Sequence, residues 1–305
     1  MKKERIRYQR KGYGLFFAAF LAISFFFLVP YLGKNYWADL MKFKSHHSIS
    51  YTAFFLGFSL LQHNLIHIVC NAIYYVYYRF EFPLIERYKT NFDEPWPWHA
   101  DPQGWRSQVK ESVLVFFLNS NIIPILIYLP FSMTPVFKEH SISVDEVPSP
   151  LRLALMVFFC MLCEDLTFYW SHRLLHRKEV YGYVHKMHHK YSQTVGIAAE
   201  YCHPLEFALG NMIPTAIGPA ILGPKMHLIA VFAWYAVRVG ESLDGHCGYE
   251  FSFSPYRLIP MSGGAEYHDF HHSQNVGNYS SFFSIWDTVF GTNKPFYQKL
   301  DKRCE

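Results

Sequence analysis

Gly14-Leu-Phe-Phe-Ala-Ala-Phe-Leu-Ala-Ile-Ser-Phe-Phe-Phe-Leu-Val-Pro-Tyr-Leu32 runs without a single charged side chain. A helix of roughly 20 such residues crosses a bilayer core. Lys2, Lys3, Arg5, Arg7, Arg10 and Lys11 precede it. A cleaved secretory leader has a shorter apolar core and a small-residue cleavage site, whereas Phe25, Phe26, Phe27 and Pro30 stand here. The stretch therefore reads as an uncleaved anchor, its basic leader holding the N-terminal side in the cytoplasm.

Outward from this anchor, three more apolar runs follow. Residues 51–78 end in a belt of Tyr74, Tyr75, Tyr77 and Tyr78; residues 112–131 are interrupted by Asn119, Asn121 and Pro124; the last covers 151–163. Weaker stretches follow at 204–223 and 227–237; Gly, Pro and Asn in the first of these suit a re-entrant hairpin better than two clean spans. The expected fold is all-α: a polytopic membrane helical bundle of about four spans plus that hairpin. The expected division is a membrane-spanning region at 1–150, a functional unit at 151–295 and a tail at 296–305.

Composition agrees. Of 305 residues, 51% are apolar and 17% charged, against about 25% charged in soluble domains. A net charge of +4 without a basic stripe excludes a nucleic-acid partner. Six cysteines lie too scattered for a disulfide framework, and Cys160 and Cys163, inside an apolar run, read as small buried hydrophobes.

Four spans return the chain to the side where it began. Residues 165–200, 240–305 and 81–111 then share the cytosolic face, with Trp96, Trp98 and Trp105 at headgroup level. Lys302-Arg303 resembles a cytosolic retrieval signal, which points to the endoplasmic reticulum membrane. Asn278-Tyr279-Ser280 fits a glycosylation acceptor on the wrong side for use.

Seventeen histidines are present, and eight form tight groups: His172 and His176; His185, His188 and His189; His268, His271 and His272. Helical positions i, i+3 and i+4 share a face, so each group is expected to aim its imidazoles at a common point. Neutral imidazole suits iron, zinc, copper or nickel, and eight ligands exceed the four of one tetrahedral ion. Two ions are the simplest count, held in a cytosolic helical, histidine-rich cap. His246 and His203, which lie between the groups and beside carboxylates, are further candidate ligands. His63 and His67, deep in the second run, read as paired polar groups within the bundle.

A ligating histidine usually donates its other N–H to a carboxylate or carbonyl. Asp165 lies on the helical face of His172 and His176, and Glu164, Glu200, Glu206, Glu241, Asp244 and Asp269 are further candidates for that supporting role.

The pattern HxxxH, HxxHH, HxxHH after several apolar runs resembles the fatty acid hydroxylase superfamily of membrane di-iron oxygenases. Within it, Glu164-Asp165, Phe168-Tyr169, Ala199-Glu200-Tyr201, His203-Pro204-Leu205-Glu206, His246-Cys-Gly-Tyr249, Asn278-Tyr279 and Trp286-Asp287 look most like the sterol 4-methyl oxidases. The resemblance makes 151–295 the catalytic unit. It implies two Fe ions and hydroxylation of an unactivated C–H of a sterol 4-methyl group or related lipid. O2 is the oxidant, and electrons come from NAD(P)H through a b-type cytochrome and its reductase. No nucleotide-binding glycine loop is present to take them directly. A lipid C–H gives acid–base or nucleophilic chemistry nothing to attack, so a redox metal must carry the step. The alternatives are a fatty acid or other lipid hydroxylase, a sterol desaturase, a histidine-rich metal transporter, or a catalytically silent lipid-binding relative.

Overall fold

The computed structural model describes residues 13–304; the basic leader lies outside them. Among the described residues the chain is helical, with two isolated β-bridges and no strand. Four helices are long and apolar enough to cross a membrane: α1 (Gly14–His46), α2 (Tyr51–Phe80), α3 (Pro102–Ser132) and α5 (Pro204–Lys225). Between the last two comes α4 (Pro150–Leu175). Next are α6 (Leu228–His246), α7 (Gly264–Gln274), α8 (Ile285–Phe290) and α9 (Lys294–Cys304), the last carrying Lys302-Arg303.

The fourth apolar run departs from expectation. It forms the first half of α4, which is not among the four, whereas the first arm of the expected hairpin, α5, is. Leu151, Leu155, Phe158, Leu162 and Leu166 nevertheless make an exposed apolar stripe along α4, while the opposite face buries Glu164 and Asp165. Arg238 of α6 meets Glu164 at 2.5 Å and Glu241 at 3.0 Å. Removing one partner of such a buried pair costs about 3–5 kcal/mol, so this triad fixes how α4 and α6 pack.

Two membrane helices are locally widened. π-helical turns at Leu118–Ile122 in α3 and Phe207–Met212 in α5 fall where Asn, Gly and Pro interrupt the apolar runs, and such turns recur at functional sites. The first turns Asn119 and Ser120 into the buried interior. The aromatic belt is also a correction. Trp96 is buried and joins Tyr78, Tyr191, Tyr201 and Tyr249 in a packed cluster, where Tyr78 donates to the Cys247 carbonyl at 2.7 Å. These side chains tie the end of α2 to the histidine-bearing loops.

Candidate metal centre

Four segments deliver the imidazoles. The last turn of α4 carries His172, and its C-cap is His176. The turns that follow place His185, His188 and His189, the last two on a 3-10 turn. His246 ends α6, and α7 carries His268, His271 and His272. Nine histidines thus form two groups. His172, His176, His185, His189 and His271 make one; His188, His246, His268 and His272 make the other. Within each group, one nitrogen per ring lies within 4.8 Å of all the others.

The partition differs from the expectation that each sequence cluster serves one point. In the second cluster His185 and His189 turn to the five-membered group and His188 to the four-membered one. The third cluster does the reverse: His271 joins the five while His268 and His272 join the four. Positions i and i+4 stack on one side of a helical turn and i+3 lies offset from them, so two turns packed between the groups feed both.

The tautomers follow from the Nδ1 partners. His172 donates to the Tyr279 carbonyl (2.9 Å), His271 to Gly277 (2.6 Å), His188 to Tyr201 (3.2 Å), His246 to Ser242 (2.7 Å) and His272 to Tyr191 (2.9 Å). His185 donates to Glu206 Oε1 at 2.8 Å. These oxygens only accept, so Nδ1 holds the proton of each neutral ring and Nε2 presents a bare lone pair.

The Nε2 atoms converge. Nε2···Nε2 separations are 3.1 Å for His176–His271, 2.9 Å for His176–His185 and 3.1 Å for His185–His189. In the other group they are 3.4 Å for His188–His246, 2.9 Å for His246–His268 and 3.2 Å for His268–His272. Nitrogens about 2.1 Å from one ion stand roughly 3.0 Å apart at right angles and roughly 3.4 Å apart at the tetrahedral angle. Between His188 and His246, whose Nδ1–H both go to carbonyls, two bare Nε2 lone pairs face each other and repel; a cation between them reverses the sign. The residues fit a metal in each group.

Burial supports the same reading. It pushes His172 and His246 down to about 4 and His189 down to about 3. His176, His185, His188, His268, His271 and His272 also move down, first from burial and then because any charged neighbour would be another imidazolium. All nine are therefore neutral, ligand-ready imidazoles near pH 7.

The remaining candidates separate clearly. His203 stands in neither group; its Nδ1 accepts from Leu205 N at 3.2 Å and caps α5. Among the carboxylates, Glu206 touches a grouped histidine. Glu164 and Glu241 serve Arg238, and Asp165 accepts from the backbone of Ser281 (3.2 Å) and Phe283 (2.9 Å). Asp244 binds Arg257, and Asp269 accepts from Thr194 N at 2.9 Å. Glu200 lies 2.6 Å from His63. Sequence reasoning missed Asp287 as a support: it holds Tyr279 N and Ser280 N, both at 2.9 Å, and so fixes the loop whose carbonyls take His172 and His271. Its place in Trp286-Asp287, within the resemblance, was the available signal.

Two cavities adjoin beside the groups. A small one of mixed lining is bounded by His172, His185, His188, His246 and His268. A chamber of about 630 Å³ lies among α2, α3, α5 and α6, its lining mostly apolar. Ala199, Asn211, Arg238 and Ser242 line both. That volume is within the 300–1,000 Å³ usual for ligand pockets.

Helices built for a bilayer, converging on paired polyhistidine groups beside an apolar chamber, define a membrane histidine-box metalloprotein. The fatty acid hydroxylase family matches residues 157–292. Methylsterol monooxygenase 1 of Danio rerio is 32% identical over 92% of this chain and 92% of its own length. Methylsterol monooxygenase 2-2 of Arabidopsis thaliana is 41% identical over 53% of this chain and 61% of its own. A very-long-chain aldehyde decarbonylase, GL1-8, of Oryza sativa subsp. indica reaches 44% over 46% of this chain and 52% of its own. No solved structure matches this chain. The chain belongs to the methylsterol monooxygenase family within the fatty acid hydroxylase superfamily, and so to the oxidoreductases of monooxygenase type.

Proposed function

We propose that this protein hydroxylates a methyl group of a sterol, at the 4-position, using O2 and two iron ions. His172, His176, His185, His189 and His271 would hold one ion; His188, His246, His268 and His272 would hold the other. The observation that carries this reading is the wall that the apolar chamber shares with the histidine-lined cavity, which would set a bilayer-soluble substrate held in the chamber next to the groups. Bound iron supplies the redox chemistry that an unactivated C–H requires.

The chain's own residues supply the rest. Backbone carbonyls and Glu206 lock Nδ1–H of six rings, which keeps each Nε2 aimed inward. The chamber excludes water and admits an apolar body. Arg238, held between Glu164 and Glu241, gives the shared wall a fixed polar lining. Electrons would arrive from NAD(P)H through a b-type cytochrome and its reductase. The basic leader supports a cytosolic histidine face.

The test is metal analysis joined to turnover. Purified protein should carry close to two irons per chain and, given O2 and a reductant, convert a 4-methylsterol to its hydroxymethyl product. Readily exchanged, substoichiometric metal would favour transport, and two tightly held irons with no oxidation of any lipid would favour a silent relative.

A further inference from the structure

Three carboxylates surround one guanidinium where α4, α6 and the loop before α8 meet. Arg238 holds Glu164 at 2.5 Å and Glu241 at 3.0 Å. Ser281 N donates to Asp165 at 3.2 Å while its hydroxyl donates to Glu241 at 3.4 Å, so Asp165 belongs to the same cluster. Glu164 Oε2 and Asp165 Oδ2 are buried with no hydrogen-bond partner among the described residues. The other charged groups acting on Glu241 are Asp244, one helical turn along α6, and Arg257 on the turn Pro255–Leu258. Arg257 adds little compensation, because Asp244 and Glu250 take it. Like charges this close in a dry site do not all ionise, so the cluster retains a proton.

Glu241 is the member that faces the metal centre. Glu164 is fully buried, whereas the Glu241 side chain keeps 17% of its surface accessible and lines the histidine-bounded cavity. Its Oε2 takes Arg238 and Ser281, and its Oε1 carries no hydrogen bond among the described residues. The other carboxylates of that cavity are engaged, Glu206 by His185 and Asp244 by Arg257. The cavity has a volume of about 60 Å³, room for about four waters. It runs from the imidazoles to Ser262, Gly263 and Gly264, which are half-exposed. His246 stands five residues beyond Glu241 on α6, about 7.5 Å of helical rise, a gap that about two hydrogen-bonded waters bridge. Burial pushes Glu241 up to about 7; Glu164 and Asp244 add to the rise, and Arg238 and Arg257 oppose it.

We infer that Glu241 carries protons from the half-exposed loop at 259–264 into the histidine-lined cavity, its carboxylate positioned by Arg238 and Ser281. This rests on the oxygenase reading above, whose balance consumes protons. A methyl C–H bond and the O–O bond break, and one oxygen atom enters the product hydroxyl. The other oxygen leaves as water, after taking two electrons from a one-electron reductant and two protons through Glu241. Solvent at the loop returns each proton that Glu241 releases.

The experiment follows infrared difference spectra of the full-length protein in lipid nanodiscs through a pH titration without substrate, then turnover of a 4-methylsterol on the same preparations. Wild type should show a protonated-carboxyl C=O band that titrates near pH 7 and is missing from Glu241→Gln. That variant keeps an acceptor for Arg238, so metal content and sterol binding should hold while turnover falls about 100-fold or more. Wild-type turnover should decline above about pH 7, where Glu241 empties, and Glu241→Gln should lack that limb. Glu241→Asp, which restores an acid, should recover about tenfold or more of the loss. An unchanged carboxyl band or undiminished turnover in Glu241→Gln overturns the inference. An equal loss in Glu241→Asp and Glu241→Gln also overturns it, since that marks a purely structural role. A titrating band that Glu241→Gln removes, with no sterol oxidised by wild type, refutes the sterol-oxidase function and leaves Glu241 as the proton-holding residue.

Discussion

Glu206 Oε1 accepts from His185 Nδ1 at 2.8 Å, and among the described residues it is the carboxylate hydrogen-bonded to a grouped histidine. Both side chains are buried, and Glu206 opens α5, so a membrane helix and a metal-facing imidazole share one bond. Such supporting partners typically change metal affinity by 10–100-fold when removed. Glu206→Ala should lower metal affinity by about that factor. Glu206→Gln, which keeps an accepting oxygen, should lose less. Metal retained after dialysis against a graded chelator series measures both, and equal retention by Glu206→Ala and wild type would sink the assignment.

His246 and His203 make a controlled pair, because both lie beside carboxylates in sequence and only one joins a group. His246→Ala leaves three imidazoles in its group and should reduce the metal content from about two per chain to about one. His203→Ala should leave metal content unchanged and cost about 0.5–2 kcal/mol through the lost helix cap, seen as a lower Tm. Loss of metal from His203→Ala would show that the side chain moves into the centre when metal binds.

The helical spacing of the histidines made the boxes legible, since i, i+3 and i+4 recur whatever the tertiary fold. Their distribution was not legible. Whether His188 sides with His185 or with His246 depends on how the turn after α4 lies against α7, a long-range fact with no local signature. The supports were half visible for a similar reason. A sequence displays carboxylates such as Glu206, but five of the six Nδ1 partners are backbone carbonyls, which every residue has. Among the spans, α1 to α3 read directly from uncharged length. The balance between α4 and α5 did not, because Glu164 and Asp165 are satisfied by Arg238 and the Ser281–Phe283 backbone, partners supplied from elsewhere in the chain.

Gly277 is the carbonyl that takes His271, and its backbone is left-handed at φ 66°. A Cβ there would lie 1.9 Å from the Thr292 carbonyl oxygen, an impossible approach for any L side chain. Gly277→Ala must therefore shift the loop, drag its carbonyl off His271 Nδ1, and weaken the five-membered group. The expected result is lower metal occupancy and a lower Tm, with α1–α3 still folded by circular dichroism. Full occupancy in this variant would mean that the Gly277 contact does not orient His271.

Ala199 separates the chamber from the histidine-lined cavity and is buried where both meet. Enlarging it to Leu inserts methylenes into a packed wall where the two cavities adjoin, which costs typically 1–3 kcal/mol in repacking. If the lipid reaches the metals by this route, kcat/KM for a sterol should fall about tenfold or more, since 1.4 kcal/mol of lost transition-state stabilisation is already a factor of ten. Metal content should remain at the wild-type value, because the Nδ1 contacts of His188 and His246 run through the carbonyls of Tyr201 and Ser242 rather than through the Ala199 side chain. The diagnostic signature is thus a loss of turnover at constant metal. A variant that kept its metal and its sterol turnover together would place the entry route elsewhere, even with the two histidine groups intact.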